Sequence, residues 1–172
     1  GIPKDGFTSV ADMDLDGDLD VISTHLVSST TAQLSIYEGQ TDSLIAPVLN
    51  INITAEEIGI PTIGDIDGDC APEILVVTPE LLSAYELING AIVRKWFLST
   101  TDESGATGQT LFDFNQDGQV EVVYRDENNI RIIEGATGSP LAAFSCTSGT
   151  GWETARITLT EKGSIIAATG SA

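Results

Sequence analysis

An all-β fold built from repeated four-stranded units is what the sequence predicts, and three observations carry that expectation. Apolar residues fall in short β-branched runs bounded by turn residues, not in helical stripes. An acidic stretch of nine residues, Asp12-Met-Asp14-Leu-Asp16-Gly17-Asp18-Leu-Asp20, separates the first two runs. The same stretch returns 53 residues later as Asp65-Ile-Asp67-Gly68-Asp69-Cys70-Ala71-Pro-Glu73, and 48 after that as Asp113-Phe-Asn115-Gln-Asp117-Gly118-Gln119-Val-Glu121. Three loops in register with similar strands around them make an internal repeat, and disfavour a β-sandwich with coincidental acidic turns.

Each repeat reads as four strands in meander order, with the acidic loop joining the first to the second. In the first repeat (approximately 7–54) strands are expected at 7–11, 21–27, 32–37 and 45–53, with a turn at 28–31 and another at Glu38-Gly39. The second repeat (60–98) gives 60–64, 74–78, 82–87 and 91–98; Asn89-Gly90 is the strongest hairpin signal in the chain. The third (107–145) gives 109–112, 122–124, 130–133 and 141–144, with Gly135-Ala-Thr-Gly138 as its late turn. A fourth unit at 151–172 looks degraded. With Gly163 at the loop glycine, its ligand positions fall on Thr158, Thr160, Lys162 and Ile166, so no metal site is expected there.

Four-stranded units recurring every 40–50 residues or so are the signature of a β-propeller, whose blades pack radially around a channel. About three and a half blades cannot close a ring. The 172 residues are therefore expected to form one partial propeller domain within a longer polypeptide.

Composition narrows the partners. A formal charge of −19, with only seven Lys and Arg, argues against nucleic acid and anionic membrane surfaces. Twelve of the 26 acidic residues lie inside the three loops, so much of the imbalance has a local cause. No apolar run approaches the ~20 residues a membrane helix needs, and membrane insertion is not expected. Gly1-Ile-Pro carries no basic or apolar leader and no initiator Met, as in a mature or partial chain. Cys70 and Cys146 leave open a disulfide or two free thiols, the disulfide being favoured if the chain works outside the cell. With His25 as the single histidine, a zinc site of the usual kind is ruled out.

Carboxylates at this density repel one another unless a cation sits among them. A hard cation such as Ca²⁺ takes 6–8 oxygens at about 2.3–2.6 Å, and alternate residues of a tight loop can turn their side chains inward together. The expected ligands are Asp12, Asp14, Asp16 and Asp20 with the Asp18 carbonyl; Asp65, Asp67, Asp69 and Glu73 with the Ala71 carbonyl; and Asp113, Asn115, Asp117 and Glu121 with the Gln119 carbonyl. That makes up to three Ca²⁺ sites. Mg²⁺ suits them less, since it keeps several waters and avoids all-protein cages. An EF-hand shares the opening of this pattern but needs a carboxylate at the twelfth place and flanking helices. The twelfth places here are Ser23, Val76 and Tyr124, and strands flank every loop. Cys70 stands where the other two loops have glycine, so the second loop is expected to be looser or to need Gly68 for its bend, and it ranks as the weakest site.

The segments 11–22, 64–75 and 112–123, carrying these loops, resemble FG-GAP (VCBS-type) repeats, the calcium-binding blades of integrin α-subunit propellers and of many bacterial surface proteins. The turns Tyr37-Glu38-Gly39 and Ile133-Glu134-Gly135 are similar to the late hairpins of that family. The resemblance implies a seven- or eight-bladed propeller with structural calcium on one face, secreted or on the cell surface. Its partners would be a protein or carbohydrate ligand and the remaining blades of the same polypeptide, in adhesion or ligand binding. The resemblance extends to polysaccharide lyases, so the alternative is the propeller portion of a secreted rhamnogalacturonan-lyase-like enzyme. A lyase needs a base, for which His25, Tyr124, Arg125 and Arg131 are the candidates. Against this, His25 suits a structural role in its strand and Arg125-Asp126-Glu127 a charge cluster at a blade edge. No serine lies in a nucleophile-elbow context. Tyr37, Tyr85, Trp96 and Trp152 fit packing between blades better than a sugar-stacking surface. Asn52-Ile-Thr54 is a formal glycosylation sequon.

Overall fold

The computed structural model describes residues 4–105 and 107–147; the degraded unit expected at 151–172, and Trp152 with it, lies outside them. Twelve strands form three antiparallel four-stranded sheets, each a meander. The first comprises β1 (Lys4–Ala11), β2 (Asp20–Ser28), β3 (Thr31–Tyr37) and β4 (Leu49–Asn52). The second comprises β5 (Thr62–Gly64), β6 (Glu73–Thr78), β7 (Leu81–Ile88) and β8 (Ala91–Ser99). The third comprises β9 (Thr110–Phe112), β10 (Glu121–Arg125), β11 (Asn129–Glu134) and β12 (Pro140–Ser145). The sheets are blades of a β-propeller, and no helix occurs among the described residues.

Turn chemistry accounts for the hairpins. Asn89 and Gly90 both take positive φ (50° and 72°), the backbone a two-residue hairpin needs to match strand twist. The expected strand at 45–53 is the one that contracts, to Leu49–Asn52. Pro47 has no N–H to give a ladder, and the preceding residues are used differently. Leu44 makes an isolated bridge to Tyr37, and the Ile45 N–H donates to the Ile36 carbonyl at 3.0 Å.

Alternation along β6 explains how the blades cohere. Every β6 residue is buried. Successive side chains point to opposite faces of a strand, so a blade covered on both sides has no polar face to spare. Ile74 and Val76 join Met13, Ile22, Leu34 and Ile36 in a core between the first and second blades. Leu75 and Val77 turn the other way, into a core with Trp96, Val122, Tyr124 and Ile133 between the second and third. Each core also takes a residue from an acidic loop, Met13 in one and Ile66 in the other, both at the second loop place. The loops are thereby tied to the packing of the next blade.

Candidate metal centre

In every blade the acidic loop connects the first two strands, and strand register brings its ends together. Ala11 pairs with Asp20, Gly64 with Glu73 and Phe112 with Glu121. The first-place carboxylate folds back over the loop. Asp12 accepts from the N–H groups of Asp16 and Gly17 at 3.1 and 3.0 Å, and Asp113 accepts from Asp117 and Gly118 at 3.2 and 3.0 Å. Asp65 accepts from Gly68 and Cys70 at 2.7 and 2.9 Å. The third-place side chains Asp14, Asp67 and Asn115 each accept from the N–H two residues on. The fifth-place Asp16, Asp69 and Asp117 do the same, taking the N–H groups of Asp18, Ala71 and Gln119. These short-range bonds hold the loop side chains in a curl.

Backbone conformation shows how the second loop accommodates Cys70. Two places in each loop, the fourth and the sixth, have positive φ: Leu15 (62°) and Gly17 (97°), Gly68 (80°) and Cys70 (73°), Gln116 (60°) and Gly118 (88°). Every loop therefore has one glycine and one residue with a side chain in the left-handed region. The second loop exchanges the two positions and keeps the same curl.

The ninth-place carboxylates Asp20, Glu73 and Glu121 are buried. Each accepts the second-place N–H on one oxygen, from Met13 at 2.8 Å, Ile66 at 2.9 Å and Phe114 at 2.8 Å. The blades differ at the other oxygen. Asp20 Oδ1 is buried with no hydrogen-bond partner among the described residues. Glu73 Oε1 receives the Lys95 ammonium at 3.3 Å, and Glu121 Oε1 receives the Asn115 amide at 3.4 Å.

A further acid in each blade stands opposite the ninth-place carboxylate. Val21 pairs with Tyr37 and Ile74 with Tyr85, so Glu38 and Glu86 stand across from Asp20 and Glu73; Glu121 pairs directly with Glu134. Like charges opposed across a ladder are destabilising unless something neutralises them. Glu38 Oε1 is also buried without a partner among the described residues, whereas Glu86 Oε2 takes the Lys95 ammonium at 3.2 Å. Glu134 accepts the Thr137 hydroxyl. The signal was in the sequence, since the same glutamate recurs after Tyr37, Tyr85 and Ile133.

Oxygens of Asp12, Asp14 and Asp20 lie within 4.8 Å of one another, as do those of Asp14, Asp16 and Glu38. Burial raises the Asp20 pKa above the usual carboxylate range, with Asp14, Asp16 and Asp12 pushing the same way against the Met13 N–H. Glu38 is likewise raised, by desolvation and by Asp16, Asp20 and Asp14. The orphaned buried oxygens of Asp20 and Glu38, beside the carboxylates of Asp12, Asp14 and Asp16, fit a hard cation. The Asp18 side chain lies off this cage, accepting from the Gln40 amide. In the second blade Asp65, Asp67 and Glu73 also converge within 4.8 Å, as do Asp69, Glu73 and Glu86.

Of the groups considered for catalysis, Tyr124 and Arg131 are engaged within the fold. Tyr124 is fully buried and donates to Asp102 Oδ2 at 2.6 Å; burial and that carboxylate raise its pKa. Arg125 is buried, and Arg131 pairs with Asp126 at 2.8 Å. Asp126 itself is fully buried. It accepts N–H groups from Thr101, Asn128 and Asn129. His25 is half-buried in β2. Tyr85 and Trp96 are core residues, the Trp96 indole N–H donating across blades to the Gly135 carbonyl at 2.6 Å. Tyr37 is half-buried. Cys70 and Cys146 are free thiols, Cys70 exposed and Cys146 half-buried, so the favoured disulfide is not formed. Asn52 of the sequon is exposed at the end of β4.

Similar folds are found among solved structures. They include the rhamnogalacturonan lyase YesW (TM-score 0.60, 15% identity, 87% of this chain and 32% of that chain). The exotype rhamnogalacturonan lyase YesX has a TM-score of 0.61 at 14% identity, over 87% of this chain and 31% of that one. A Bacillus licheniformis rhamnogalacturonan lyase PL11 has a TM-score of 0.58 at 14% identity, over 87% and 32%. At such identities the likeness concerns the fold, and the chain spans about a third of the length of those structures. No curated protein matches the sequence. The family model of the FG-GAP-like repeat matches residues 10–76, the span that holds the first two acidic loops. Over those residues the chain is similar to the FG-GAP-like repeat.

Proposed function

We propose that this chain is a calcium-stabilised β-propeller module of a secreted or cell-surface protein, in which the cation serves structure and the blades present a surface to a protein or carbohydrate ligand. The observation that carries the calcium reading is Asp20, fully buried, with one oxygen unpartnered and facing a loop of three further aspartates and Glu38. An ionised carboxylate buried without a partner is costly, and a bound divalent ion removes that cost while drawing the loop oxygens together. Asp12, Asp14, Asp16, Asp20 and Glu38 would hold it. In the third blade Asp113, Asn115, Asp117 and Glu121 would hold another once the Asn115 amide presents its oxygen. The remaining blades of the ring would be supplied by the rest of the polypeptide, in line with the greater length of the similar structures.

The test is thermal unfolding with calcium added and with a chelator. By mass action, calcium at 100 times its dissociation constant adds about 2.7 kcal/mol per site, which moves the melting temperature of a domain this size by several degrees. A melting temperature that EDTA leaves unchanged would sink the calcium reading.

The lyase reading draws on the three solved structures above. In such an enzyme Tyr124, Arg125 and Arg131 would serve the scaffold, being buried or paired within it, which leaves His25 as the candidate base. Release of unsaturated products from rhamnogalacturonan by the full-length protein would establish that reading. Binding to a glycan array without turnover would favour the module.

A further inference from the structure

The second acidic loop differs from the first by one side chain brought from the far edge of its own sheet. Lys95 lies on β8, and its ammonium sits 2.6 Å from Asp67 Oδ2, 3.3 Å from Glu73 Oε1 and 3.2 Å from Glu86 Oε2. Glu73 and Glu86 are the counterparts of Asp20 and Glu38, each of which has one buried oxygen without a partner among the described residues. The amine therefore satisfies in the second blade the oxygens that stay orphaned in the first. It stands where both carboxylate groupings of that loop meet, since Glu73 belongs to each.

A β-bulge delivers it. Ala84 pairs with Trp96 and Tyr85 with Arg94, which leaves Lys95 as the extra residue on β8. A bulge re-aims the side chain it carries. The third blade has the same bulge at the same register, between Ile132 and Ile133, and its extra residue is Leu141, 56% exposed. The device is common to both blades, and a cation at its tip is particular to the second. An ammonium on a flexible stem is a compact point charge with three donors, suited to bridging three carboxylates. With Glu73 fully buried and Lys95 and Asp67 each 18% exposed, water competes little for these contacts.

We infer that Lys95 is the built-in cation of the second blade, so that its acidic loop keeps its curl without a metal ion and becomes a divalent-cation site only when that amine is removed. The inference rests on the calcium reading of the first loop, and it lowers the number of ions this chain binds from three to at most two. A tethered charge has an effective concentration that chelators and dilution cannot change. The second blade, central in the described array and buried on both faces, is thereby made independent of the calcium supply.

The experiment counts bound Ca²⁺ on the full chain by equilibrium dialysis, alongside melting temperatures in EDTA and in calcium. Asp67→Asn should leave the wild-type ion count unchanged, while Asp20→Asn should lower it by one. Lys95→Met should raise the count by one, melt below wild type in EDTA, and recover when calcium is restored. A lower count in Asp67→Asn would overturn the inference while leaving the calcium reading intact. An unchanged count in Lys95→Met refolded in calcium would likewise overturn it. No calcium bound by wild type or by Lys95→Met would overturn both. Should Lys95→Met fail to refold, Asp67→Asn decides by itself, because it keeps the amine and the buried Glu73.

Discussion

Asp126 shows what the interior asks of a single carboxylate. Burial pushes its pKa up, yet the Arg131 guanidinium and the N–H groups of Thr101 and Asn128 outweigh burial and hold it below its ordinary value. A depressed folded value means that the unfolded chain binds the proton more readily. Its contribution to stability is therefore present above the usual carboxylate range and disappears as pH falls through the folded value. Asp126→Asn should cost roughly 2–3 kcal/mol at neutral pH, from lost charge-assisted hydrogen bonds, and should flatten the acid side of the stability profile. Denaturant unfolding at a series of pH values checks both parts; an unaltered acid limb would show that Asp126 is not a main contributor to it. Asp20 is the contrast. Nothing cationic among the described residues meets its inner oxygen, and burial raises its pKa where that of Asp126 falls.

At the scale of the element, the acidic hairpin loop is a backbone device before it is a charge device. Its two positive-φ places turn the chain tightly enough for four side chains to face inward. Gly17 has open space where a Cβ would go, so an alanine there meets no steric obstacle and suffers only from φ of 97°. Gly17→Ala should destabilise by roughly 1–2 kcal/mol through that backbone term and should weaken calcium binding in parallel. Calorimetric titration beside denaturant unfolding reads the two together. Equal affinity with lower stability would mean that the curl forms regardless of the strain. The second loop bears on this point, since Cys70 at φ 73° is tolerated with Gly68 relieving the fourth place.

For the whole molecule, cohesion lies in the two cores between blades more than within any sheet. Trp96 leaves the second blade to pack with Val122, Tyr124 and Ile133 of the third, and its indole N–H reaches the Gly135 carbonyl. Gly135 is forced to be glycine, because a Cβ there would lie 2.2 Å from the Val120 carbonyl and 2.5 Å from that of Ile66. Loop, late turn and tryptophan thus meet at one seam. Trp96→Ala should cost about 3–5 kcal/mol, the range for a large aromatic removed from a core, and should uncouple the third blade from the second. Hydrogen exchange would detect this as selective loss of protection in 121–134; uniform loss across all three sheets would show that the array unfolds as a unit.

The sequence by itself determined the architecture and the placement of the acidic loops. Period-two apolar runs, Asn89-Gly90 and three loops in register carry that information locally, and local signals need no tertiary context to be read. The spacing of the first-, third-, fifth- and ninth-place acids is likewise a local signal, and the structure brings acids of the first two loops together. What only the tertiary structure decided are contacts between residues distant in the chain. Glu38 joins Asp14 and Asp16 through the pairing of β2 with β3. Asp126 becomes a buried hub through Thr101 and Arg131. Lys95 reaches Asp67 and Glu73 because a bulge turns it inward. A lysine in a solvent-facing run carries no mark of where its amine will rest. Strand register and a single extra residue settle that, and with it which of three similar acidic loops already holds a cation of its own.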